Sequence, residues 1–146
     1  MMGIIVTGHG GFANGMKENV KMLAGNDVEV IAVPFTEGMA LEELEADLEK
    51  AMDQYAAVPT LVFADLTGGT PYNKAATLSV SRPNIRVFGG SSAAMLMDAA
   101  MRNVTGDEVD SLDTLAEEIL ESGRENMGCF ILNVPSVDTM DEEDGI

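Results

Sequence analysis

Basic residues, histidine, cysteine and tryptophan are all scarce in this chain of 146 residues, with 8 Lys and Arg, 1 His, 1 Cys and no Trp. Against those few cations stand 25 Asp and Glu, leaving a formal charge of −17. Phosphate backbones are held by clustered Lys and Arg, so nucleic acid is excluded as a partner. An acidic surface disfavours anionic membranes for the same reason. The lone Cys129 excludes an internal disulfide framework and any multi-cysteine zinc site. It is expected to be a small buried apolar residue. No segment approaches the ~20 apolar residues of a membrane span. The opening Met1-Met2-Gly3-Ile4-Ile5-Val6 lacks a basic flank and runs into Thr7-Gly8-His9, which is not the pattern of a signal peptide. A soluble cytoplasmic protein without direct membrane insertion is expected.

What the chain does have is apolar mass. Its 46% hydrophobic residues can fill a core, so disorder is excluded despite the charge. Its length fits one domain over residues 1–146. The 11 Met are expected as core filler.

Short β-branched runs alternate with amphipathic stretches. Gly3-Ile4-Ile5-Val6-Thr7 reads as a buried strand, followed by a helical stripe at Phe12, Met16, Val20 and Leu23. A second strand is predicted over residues 28–33. The next stripe is Leu41, Leu44, Leu48 and Met52, whose Glu- and Asp-rich opposite side needs only solvent to explain it. Thr60-Leu61-Val62-Phe63-Ala64 is the third strand, stopped by Asp65 and the turn Thr67-Gly68-Gly69-Thr70-Pro71. Proline there suits a helix's first turn, and that helix should run to about Ser79. Ile85-Arg86-Val87-Phe88 forms a fourth strand, and Gly89-Gly90-Ser91-Ser92 opens a helix that is apolar nearly all round to Arg102. Leu112, Leu115, Ile119 and Leu120 mark a last helix, and Cys129-Phe130-Ile131-Leu132 a final short strand. The fold class is therefore α/β, a doubly wound, mostly parallel sheet of four strands with helices on both faces, plus a C-terminal strand.

Such sheets bind ligands at the carboxyl ends of their strands, where the strand order reverses. His9, Asp65, the Gly-Gly-Thr turn and Gly89-Gly90-Ser91-Ser92 all fall at strand ends. Three chemistries compete there. Gly8-x-Gly10-x-x-Ala13 fits a dinucleotide fingerprint, but no acidic residue closes strand two. Asp65 could be the phosphoryl acceptor of a receiver domain, but the metal-holding acids after strand one are missing. The third uses all the loops. Asp65 could fix one ring nitrogen of His9 and leave the other free to attack phosphorus. The N–H groups of Gly10 and Phe12, those of Gly68, Gly69 and Thr70, and the Thr70 hydroxyl could hold phosphoryl oxygens. Phe35, Thr36, Leu66, Thr67 and Ser91 should line the pocket by strand-end position. No metal and no organic cofactor is needed, because phosphoryl transfer is mostly positioning and charge stabilisation.

Ile4-Ile5-Val6-Thr7-Gly8-His9-Gly10, together with Asp65-Leu66-Thr67-Gly68-Gly69-Thr70-Pro71-Tyr72-Asn73, resembles the mannose-family enzyme IIA of the bacterial sugar phosphotransferase system. The likeness extends to Ser122-Gly123-Arg124-Glu125. It implies that His9 takes a phosphoryl group from the phosphohistidine of HPr and passes it to the IIB component for sugar uptake. It implies that Asp65 orients His9, that Thr70 supplies a hydroxyl, and that the protein is a homodimer whose C-terminal strand crosses to the partner's sheet. Residues 1–123 would then be the α/β core and 124–135 the exchanged segment. Ser122-Gly123 would be its hinge, and residues 136–146 an acidic tail. The apolar helix from Ser92 to Arg102 is a candidate dimer interface. The chain resembles the stand-alone form, not one fused to IIB. Two alternatives are a phosphotransferase subunit serving dihydroxyacetone kinase and a non-catalytic docking module. The presence of both His9 and Asp65 speaks against the second.

Overall fold

In the computed structural model, residues 1–132 are described. Strands β1 (Gly3–His9), β2 (Ile31–Phe35), β3 (Thr60–Ala64) and β4 (Ile85–Phe88) form one parallel sheet in the order β2-β1-β3-β4. Helices α1 (Phe12–Ala24), α2 (Leu41–Gln54), α3 (Thr70–Ser79), α4 (Ala93–Thr105) and α5 (Leu112–Asn126) complete it. From β1 the chain moves outward to β2, then returns across β1 to β3. The order therefore reverses between β1 and β3, which puts the crevice at the ends of those two strands.

Alternate residues of the central strands feed two cores. Ile4, Val6, Leu61, Phe63 and Phe88 pack under α1, α4 and α5, with Val20, Leu96 and Ile119 fully buried. Ile5, Val33, Val62 and Ile85 pack under α2 and α3, joined by Leu44, Leu48 and Met52. The helical stripes thus land where their periodicity predicts, except at their ends: Leu23 and Leu41 are exposed.

Other expectations need correction. Strand two begins at Ile31 instead of residue 28 and runs through Pro34 to Phe35, while β1 continues to His9 beside it. β2 is an edge strand, where a proline's missing N–H breaks no ladder, so Pro34 does not end the pairing. Ser122-Gly123 is no hinge within this chain. Both residues lie inside α5, where the Ser122 hydroxyl donates to Asp98 of α4 at 2.5 Å. A Cβ on Gly123 would stand 2.8 Å from Met95 Cγ, so this glycine is a packing contact between the two helices. Nor is α4 uniformly apolar in its surroundings. Met95, Leu96, Ala99 and Ala100 are buried, whereas Asp98 and Arg102 pair with each other and Met101 and Val104 are exposed. Finally, residues 129–132 pair with no strand among the described residues, and Cys129 is exposed there instead of buried. The acidic tail at 136–146 lies outside the described residues.

Candidate active site

β1 ends in His9, and β3, its hydrogen-bonded neighbour, is followed at once by Asp65. Parallel pairing of Thr7 with Ala64 brings both side chains to the same rim. Asp65 Oδ2 accepts from the backbone N–H of His9 at 2.9 Å and contacts ring Nδ1 at 2.8 Å, while Oδ1 accepts from Leu66 N–H at 2.9 Å. Burial pushes the Asp65 carboxyl up. The His9 N–H, the His9 ring and the Leu66 N–H more than offset this and hold it below its ordinary value.

An ionised carboxylate only accepts, so the imidazole proton lies on Nδ1. Nε2 then carries the lone pair, and it makes no hydrogen bond among the described residues. Phe35 meets the ring edge-on, with centroids 5.8 Å apart, and limits its rotation. The His9 side chain is 46% exposed whereas that of Asp65 is 12% exposed. The imidazole faces out and the carboxylate beside it is sheltered.

Missing side chains allow this approach. A Cβ on Gly8 would lie 2.6 Å from Phe12 Cδ1 and 3.0 Å from Asp65 Cγ. One on Gly69 would lie 3.1 Å from His9 Cε1. Gly68 adopts φ +83°, a left-handed conformation that closes the turn at little cost for glycine alone. Asn73, part of the sequence motif but given no role there, donates to the Gly68 carbonyl at 3.0 Å and pins that turn. Gly8 and Asn73 are thus supports that strand and turn patterns alone do not disclose.

The predicted phosphate donors divide. Gly10 N–H donates to the Phe35 carbonyl at 2.9 Å and Gly69 N–H to the Leu66 carbonyl at 3.1 Å, so neither is free for an anion. The N–H groups of Phe12, Gly68 and Thr70, and the Thr70 hydroxyl, make no hydrogen bond among the described residues. Phe12 and Thr70 are the first residues of α1 and α3, where open N–H groups and the helix dipole favour an anion.

The expected pocket is an open rim. Thr36, Leu66 and Thr67 are exposed and Phe35 is half-buried against His9. Ser91 does not line it. Its side chain is buried, its hydroxyl has no partner, and its N–H donates to the Ala64 carbonyl at 3.1 Å behind the loop. Among the described residues no group of three or more His, Cys, Asp or Glu stands close enough to share a metal ion.

The family described as the phosphotransferase (PTS) system fructose IIA component matches residues 3–120, which include β1, the His9 loop and the Asp65 turn. The chain belongs to this enzyme IIA family. Within it, a sorbose-specific EIIA component from Lacticaseibacillus casei is 31% identical over 129 residues, covering 86% of this chain and 94% of the relative. A fructose-specific EIIA component from Bacillus subtilis is 30% identical over 99 residues, covering 67% of this chain and 68% of the relative. Among solved structures, the mannose/sorbose-specific IIA subunit from Enterococcus faecalis superposes with a TM-score of 0.80 at 30% identity, covering 90% of this chain and 96% of that one. The four-stranded α/β core is thus that of the enzyme IIA proteins. No helix among the described residues is long and apolar enough to cross a membrane.

Proposed function

We propose that His9 Nε2 accepts a phosphoryl group from the phosphohistidine of HPr and passes it to a IIB component, so that the chain acts as a cytoplasmic phosphocarrier in sugar uptake. The observation that carries this is an exposed imidazole whose Nδ1 is tied to Asp65 and whose Nε2 is left free. In the accepting step the Nε2 lone pair forms the new P–N bond as the donor's P–N bond breaks. The donor nitrogen leaves with that electron pair. Positive charge growing on the His9 ring is offset by the Asp65 carboxylate, and the open N–H groups of Phe12, Gly68 and Thr70 receive the phosphoryl oxygens. An open rim, in place of a closed cleft, suits a donor that is itself a protein. The fructose and sorbose names of the relatives favour sugar uptake over service to dihydroxyacetone kinase.

The partner surface includes a second copy of the chain. Phe130, Ile131 and Leu132 are 73%, 78% and 76% exposed, a run of apolar side chains that water does not favour. Pairing this segment with the sheet of a second chain, as the resemblance implies, would cover it.

Incubation with enzyme I, HPr and phosphoenolpyruvate should give an acid-labile, base-stable adduct on the wild-type chain and none on His9→Ala. Equal labelling of the two would overturn the assignment.

A further inference from the structure

The turn that carries Asp65 is held from two sides, and only one of them is His9. On the other side lies Gly89, the first residue after β4. A Cβ there would come 2.7 Å from Thr67 Cα and 2.8 Å from Thr67 Cβ, and closer still to the Thr67 hydroxyl. Separations below 3.0 Å require something to shift, and here the obstacle includes backbone. Gly89 itself has no positive φ, so an alanine there would not be strained by a left-handed backbone, and the nearest atoms it would meet are all of Thr67.

Thr67 has little room to yield. Two residues before it, Asp65 makes the hydrogen bonds that orient His9; two residues after it, Gly69 lies almost against the ring. The Leu66 carbonyl is bound by Gly69 N–H, and the end of β3 is tied to the β4–α4 loop through Ser91 N–H and the Ala64 carbonyl.

We propose that Gly89 is a positioning residue for phosphoryl transfer: by having no side chain it seats Thr67 on the end of β4 and thereby holds Asp65 and Gly69 against His9. It touches neither the imidazole nor any incoming group. The proposal rests on His9 being the phosphoryl acceptor, but its spectroscopic test does not.

The test compares wild type, Gly89→Ala, Thr67→Gly and the double variant G89A/T67G as full chains, each checked for a cooperative thermal transition. Two quantities are read, the rate of transfer from phosphorylated HPr and the ¹⁵N signals of the His9 ring. Gly89→Ala should slow transfer between about ten- and a hundred-fold, as expected for displacement of a group by a fraction of an ångström to one ångström. Its Nδ1 and Nε2 signals should move toward a mixture of tautomers. With Thr67→Gly as background two of the close atoms are gone and Cα remains, so the same Cβ should produce a smaller but measurable loss and shift. If Gly89→Ala does not fold, that second pair decides alone. Identical rates and ring signals within either folded pair would overturn the proposal. So would slower transfer with unmoved ring signals. A wild-type chain that takes no label on His9 would instead count against the acceptor assignment, while the ring signals still judge Gly89.

Discussion

At the scale of single residues, the proposed transfer depends on which nitrogen of His9 holds the proton. Asp65→Asn replaces an acceptor by an amide that can also donate, so Nδ1 loses its fixed proton. Transfer measured with phosphorylated HPr should fall by roughly 10²-fold or more, with the fold retained. An unchanged rate would remove Asp65 from the mechanism. The same carboxylate makes stability depend on acid. Its folded pKa lies below its ordinary value of 3.8, so between the two values the unfolded chain binds more protons and stability falls as pH falls. Urea midpoints taken from about pH 5 down to about pH 2 should show this decline in wild type and a shallower one in Asp65→Asn. His9, Asp65 and the Gly-Gly-Thr turn are legible in the sequence because residues at strand ends in an α/β sheet are exposed to function by topology. The engagement of Gly10 and Gly69 N–H groups is not. It depends on turn dihedrals and on carbonyls of Phe35 and Leu66, which no residue type announces.

At the scale of elements, apolar spacing decides the helices and pairing decides the strands. Leu44, Leu48 and Met52 all land in the core under α2, and Leu48→Ala should cost ~2–5 kcal/mol by chemical denaturation. Strand limits are less legible. Pro34 signals an end by its chemistry, and only the edge position of β2 allows it to stay. Tyr55 shows how an element is closed. It caps α2, lies over Gly3 of β1 and donates its hydroxyl to Glu29 at 3.1 Å. Burial, then the Glu29 charge and hydrogen bond, push its pKa from 10.0 up to about 12. A raised folded pKa means that its contribution is fully present below 10.0 and is lost as pH rises through about 12. Thermal midpoints of Tyr55→Phe should therefore decline less steeply than those of wild type across that alkaline range.

At the scale of the whole molecule, the charge of −17 is carried in part by helix N-termini, with Glu42 and Glu43 in the first turn of α2 and Asp113 in that of α5. Asp65 is the one carboxylate that hydrogen-bonds the His9 ring among the described residues. The C-terminal segment is the part that a single chain leaves unexplained. Cys129 reads as buried from composition, yet it is exposed, and no element among the described residues covers it. Light scattering should give twice the 15.5 kDa chain mass, and Ile131→Asp should return it to one chain. A wild-type monomer would refute the shared strand.

The most direct measurement of the central claim is the ¹⁵N and ³¹P NMR spectrum of the chain after incubation with enzyme I, HPr and phosphoenolpyruvate. The expected spectrum shows one phosphohistidine, with phosphorus bonded to Nε2 of His9 and the proton kept on Nδ1 beside Asp65. Phosphorus on Nδ1, or on any residue other than His9, would contradict it.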